Sequence, residues 1–163
     1  MFYHFHSKEE LFFQVLILGV KEEFRRVFEI FEKKGDRLFK KRENMFEDLK
    51  KYYDLTSSGP REFERLWLEG RMESENNPRL RDMMTVQDKE IAQIVVGSIK
   101  QMRPQIGILE GYNDVELLEI AKGIIAVFRG LFLERLAGKD PREIKKIWVR
   151  TIFVIYSSKK SKT

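Results

Sequence analysis

The sequence predicts an all-α protein of about six main helices. Three observations carry that expectation: apolar residues recur at three-to-four spacing through almost every segment, no run alternates strictly enough for a strand, and caps or breakers bound the helical stretches. The chain has 163 residues, a length at which one domain buries roughly 70% of its unfolded surface. Hydrophobic residues make up 42% and charged residues 35%, which excludes disorder. The 13 Phe exceed what a small core needs and point to a bound apolar molecule.

Ser7-Lys8-Glu9-Glu10 has the form of a capping box, in which the Ser7 hydroxyl accepts from the Glu10 amide and the Glu10 carboxylate from the Ser7 amide. A long first helix is therefore expected from about Lys8, with Leu11, Val15, Leu18, Phe24, Val27, Phe28 and Phe31 apolar, to the basic residues before Gly35. A second helix is expected after Asp36, carrying Leu38, Phe39, Met45, Phe46, Leu49, Tyr52 and Tyr53 until "TSSGP" breaks it. Pro60 suits the first turn of a third, which presents Phe63, Leu66, Trp67 and Gly70 on one side and ends at Asn-Asn-Pro. The fourth is expected from Pro78 to Met102, stopped by Pro104. After the loop "RPQIGILEGYND", Asn113 or Asp114 caps a fifth helix whose apolar residues cover more than half its circumference, so it must bury two faces. A sixth starts at Pro141, and "SSKKSKT" forms a solvated tail.

The last two helices, about 114–137 and 141–157, are joined by a short loop and should form an antiparallel hairpin. Such a hairpin meeting its own copy across a twofold axis makes a four-helix bundle, so a homodimer is expected. Ile120, Ile124, Val127, Leu131, Ile147, Trp148, Ile152 and Ile155 are the candidates for its interface. The alternative is that both faces are buried inside the monomer.

The chemistry available to the chain is narrow. There is no Cys, which excludes disulfides, thiolate metal sites and a Cys nucleophile and fits a cytoplasmic location. The two His, His4 and His6, stand two apart, about 200° around a helix, so no metal site is expected. "LFFQVLILGV" is too short to span a bilayer, and no membrane segment is expected. No Gly-rich phosphate loop or nucleophile–base pair is present, and Glu69 and Glu73, four apart, read as solvated helix charges. The expectation is a protein without cofactor that is not an enzyme. A net charge of +5 is a mild hint of a polyanionic partner.

"FYHFHSKEELFFQVL" resembles the junction in TetR-family transcriptional regulators where the DNA-recognition helix ends and the long connecting helix begins, with Phe2, His4, Phe5, Ser7, Lys8, Glu9, Glu10 and Leu11 fitting the pattern. "LWLEGRMESENNPRLRDMM" and "GILEGYNDVELLEIAKGIIAVFRGLFLERLAGKDP" are similar to later segments of the family, so the resemblance covers nearly the whole chain. It implies a ligand-responsive regulator, a repressor that releases operator DNA when a small apolar or aromatic effector binds. It also implies a helix-turn-helix of which only residues 1–6 remain, followed by an effector-binding and dimerisation domain over 7–163. Most of the reading head is then missing, through a fragment, an internal start or a natural short form, and specific operator binding is expected of the full-length protein only. The other reading is a stand-alone dimeric helical ligand-binding or interaction module that needs no DNA.

By position in that family, Tyr3, His4 and Lys8 are the remnant DNA-contacting residues, with Phe2 where a phosphate-binding tyrosine usually stands. The effector pocket would be walled by Phe24, Phe28, Phe46, Tyr53, Phe63, Trp67, Val95 and Phe128. Arg71, four residues after Trp67 on the same helical face, is placed to meet a ligand carboxylate or phosphate, or to pair with Glu75 at the next i,i+4 position. The long first helix would link ligand to DNA.

Overall fold

The computed structural model of the protein describes residues 8–35, 38–57 and 61–160. Six α-helices and a short 3-10 turn at Arg42–Asn44 are the regular elements of the described residues, which contain no strand. They are α1 (Lys8–Gly35), α2 (Met45–Thr56), α3 (Arg61–Glu73), α4 (Pro78–Ile106), α5 (Asp114–Leu136) and α6 (Pro141–Ser157). The expected Ser7 cap lies outside the described residues.

Local chemistry explains most boundaries. Asn77 accepts from the Leu80 amide and Pro78 opens α4, whose first turn needs no proline N–H. Asn113 accepts from the Val115 and Glu116 amides while the Glu116 carboxylate accepts from the Asn113 amide, a complete capping box for α5. Asp140 accepts from the Arg142 amide ahead of α6. Two boundaries differ from the sequence expectation. Helix α2 starts at Met45 rather than after Asp36, because Phe39 takes the left-handed backbone (φ 58°) and donates its N–H to the buried Asp48 carboxylate at 2.9 Å. Helix α4 runs past Pro104 to Ile106: a proline in the last turn removes only one bond, and Gly107 (φ 61°) ends the helix by donating to the Arg103 carbonyl at 2.9 Å.

Buried side chains gather into two clusters. The larger joins α2, the C-terminal half of α4, α5, α6 and the loop residues Ile108 and Leu109, and its centre includes Leu49, Ile99, Leu117, Trp148 and Ile152. The smaller joins the N-terminal half of α1 to α3 and the N-terminal half of α4, through Phe13, Leu16, Leu80, Met84 and Ile91, with Trp67 and Ile125 packed against it. Helix α4 passes through both. Among the α1 side chains that the structure describes, Phe13 and Leu16 are buried, whereas Leu11, Val15 and Leu18, expected to face the core, are exposed. The reason is Gly70: a Cβ there would stand 2.3 Å from Leu16 Cδ2, so its absence lets α3 close on the Leu16 side of α1.

Helices α5 and α6 are antiparallel, with Lys160 beyond the end of α6 paired to Glu116 at the start of α5 at 2.7 Å. Helix α2 lies across α6, where Trp148 meets Tyr52 (ring centroids 6.3 Å apart) and Tyr53 (5.4 Å). Lys145 of α6 closes the same contact on Asp54 at 2.6 Å.

Candidate functional site

The residues expected to wall one pocket divide between the two clusters. Phe46 meets Phe153 of α6 edge-on at 5.3 Å, Tyr53 packs on Trp148, and Val95 and Phe128 lean on the larger cluster. Trp67 belongs to the smaller one. The side chains of Phe24, Phe28 and Phe63, like Tyr3 and His4, lie outside what the structure describes. Lys8 is exposed at the start of α1.

The expected dimer residues are also redistributed. Leu131, Trp148 and Ile152 are buried in the chain's own core, Trp148 against Tyr52 and Tyr53 of α2, a helix whose docking on α6 periodicity could not reveal. Ile120, Ile124, Val127, Ile147 and Ile155 are half-buried against that core. The large apolar side chains that α5 and α6 leave exposed are Val115, Leu133, Leu136 and Val154.

The polar chemistry concentrates where α3, α4 and α5 meet. Trp67 and Arg71 are one turn apart on α3, Asp88 is on α4 and Arg129 on α5. Arg71 pairs with Asp88 rather than with Glu75: its Nη2 donates to Asp88 Oδ1 and, at 2.5 Å, to Oδ2. Arg129 donates from Nη2 to the same Oδ1 and from Nη1 to Oδ2 at 3.5 Å. Both guanidinium carbons lie 5.1 Å from the centroid of the Trp67 ring. The face of a Trp ring is its electron-rich side, and it attracts a cation placed over it.

The cluster is not neutral. Two guanidiniums and one carboxylate sum to one positive charge, on side chains that are 28%, 25% and 32% exposed for Arg71, Arg129 and Asp88. The Arg71 Nε is buried without a hydrogen-bond partner among the described residues, and so is the Gln87 side-chain nitrogen next to Asp88 in sequence. Gln87 is buried and shares the α4 face of Met84 and Ile91 by its three-to-four spacing. Sequence reasoning reached Trp67 and Arg71 through their i,i+4 spacing. It missed Asp88 and Arg129, which lie on other helices and carry no local signal.

Among the described residues there is no group of three or more His, Asp or Glu suited to a metal ion. No described helix is long and apolar enough to cross a membrane. No family model matches the chain, and no curated protein or solved structure matches it.

Proposed function

We propose that this chain is the effector-binding and dimerising part of a ligand-responsive transcriptional regulator of the TetR type, a cytoplasmic homodimer that represses in its ligand-free state and performs no catalysis. The observation that supports this reading best is the close contact between α3 and α1 beside the Arg71 cluster. Arg71 follows Gly70, and at Gly70 the bare backbone of α3 closes on the Leu16 side chain of α1. A ligand that shifts α3 therefore moves the long helix whose first turns present Leu11, Val15 and Leu18 to the outside. A ligand releases DNA only by binding the DNA-free arrangement more tightly than the DNA-bound one, and α1 is the element that could carry that difference.

The dimer would form through the outer side of the α5–α6 hairpin, where Leu133 and Val154 are exposed at 46% and 67%. Sedimentation of the chain at micromolar concentration should give a dimer, and the double change Leu133→Glu with Val154→Glu a monomer. Selection of DNA by the product of the complete reading frame should enrich a palindrome whose half-sites mirror the dimer. A monomeric wild type would reject the dimer. A dimer that binds ligand but selects no DNA would make the chain a stand-alone binding module.

A further inference from the structure

We infer that the Trp67–Arg71–Asp88–Arg129 cluster is the head-group subsite for a singly charged carboxylate carrying an apolar body, with Asp88 as the internal anion that the ligand partly displaces. The inference rests on the ligand-binding reading above and names the chemistry of that ligand. Two guanidiniums present about ten N–H donors, whereas one carboxylate offers about four acceptor positions. Among the described residues, Asp88 of α4 is the acceptor that both arginines reach, one from α3 and one from α5. Arg71 Nε is left over, on the buried side. A positive charge that is three-quarters withdrawn from water is stabilised by an incoming anion, and a planar guanidinium is matched to a carboxylate by its paired donors. One net charge asks for a monoanion; a doubly charged phosphate would place excess negative charge beside Asp88.

The apolar body would lie along the smaller apolar cluster, the one on which Trp67 packs. Trp67 packs on the cluster formed by Phe13, Leu16, Leu80, Met84 and Ile91, and Gln87 brings a buried amide N–H, unpartnered among the described residues, to the α4 face of Met84 and Ile91. A carboxylate that draws Arg71 or Arg129 away from Asp88 changes what ties α3, α4 and α5 together, which gives ligand binding a direct mechanical consequence.

The test is titration of the chain with octanoate, octyl phosphate, 1-octanol and octylammonium, followed by Trp fluorescence and thermal shift. Octanoate should bind saturably, 1-octanol about tenfold more weakly or worse, octyl phosphate more weakly than octanoate, and octylammonium not at all. Arg129→Gln should reduce octanoate affinity about tenfold or more and leave 1-octanol unchanged, while Asp88→Asn, which removes the competing charge, should strengthen octanoate binding. Arg129→Lys, which keeps the charge but not the paired donors, provides an intermediate affinity if the Gln variant does not fold. Equal binding of octanoate and 1-octanol in wild type and Arg129→Gln would overturn the head-group assignment while leaving an apolar ligand site intact. Tighter binding of octyl phosphate than octanoate would overturn the monoanion. Saturable octanoate binding in neither wild type nor Asp88→Asn, with the dimer retained, would overturn the site itself and make the cluster a closed structural tie.

Discussion

The two ends of α4 pack into regions of opposite character. At its C-terminal end, polar groups are used to fix backbone: Asp48 accepts the Phe39 amide, Arg42 donates to the Gly107 carbonyl at 2.8 Å, and Arg103 Nη2 donates to the carbonyls of Leu109 and Tyr112. Even Arg103, whose Nε lacks a partner, ties down a loop that buries Ile108 and Leu109 completely. At the N-terminal end the polar groups are used on one another. Arg71, Arg129 and Asp88 form a charged cluster with a surplus cation, Gln87 buries a donor with no acceptor among the described residues, and α1 beside them exposes three large apolar residues. In the proposed function the C-terminal region would hold α4 in place, while the N-terminal region would yield to the ligand and pass the shift to α1.

The strongest challenge to this contrast is to remove one large side chain from each region. Trp148→Ala should cost about 4–5 kcal/mol in urea unfolding, since Trp148 is held between α2 and α6 against two tyrosines. Phe13→Ala should cost about 3 kcal/mol, because a cluster with exposed neighbours relaxes more easily around the gap. Equal costs would mean that the two regions are packed with the same rigidity and would break the comparison.

A second difference appears at high pH. Desolvation pushes the Tyr52 phenol up to about 12, and burial first, then the nearby Tyr52 charge, raises Tyr156. Both hydroxyls belong to the larger region. A phenol whose pKa is raised in the fold contributes stability that is complete below its unfolded value near 10. That contribution is lost as pH climbs through the folded value. The melting temperature should therefore begin to fall near pH 10, and Tyr52→Phe together with Tyr156→Phe should flatten the decline. An unchanged alkaline limb in that variant would place the sensitive groups elsewhere.

Which of these features were legible in the sequence depended on how local their causes were. The caps at Asn113 and Asp140 are set by side chains within three residues, and α5 and α6 begin where the sequence says. Leu38 and Phe39 fit a helical spacing, but the left-handed backbone at Phe39 is held by a carboxylate nine residues on, which periodicity does not see. In "LFFQVLILGV" apolar residues face in several directions, so the sequence offers two faces for α1; the groove at Gly70 selects the one with Leu16. The site follows the same rule. Trp67 and Arg71 are neighbours by helical geometry alone, whereas Asp88 and Arg129 join them only because three helices cross.

The smallest expected effect has the sharpest sign. Asp48→Ala should destabilise the protein by about 1–3 kcal/mol, because it strands the buried Phe39 amide. Gln87→Met, similar in volume and without a polar atom to desolvate, should stabilise it by up to about 1 kcal/mol, because no partner is lost. The same substitution should weaken octanoate binding if the Gln87 amide meets the ligand. A polar group that destabilises the empty protein and helps the occupied one is the signature of a site held ready for a molecule. Destabilisation by Gln87→Met of the size seen for Asp48→Ala would show that the N-terminal region is as fully satisfied as the C-terminal one, and the distinction between anchor and lever would fail.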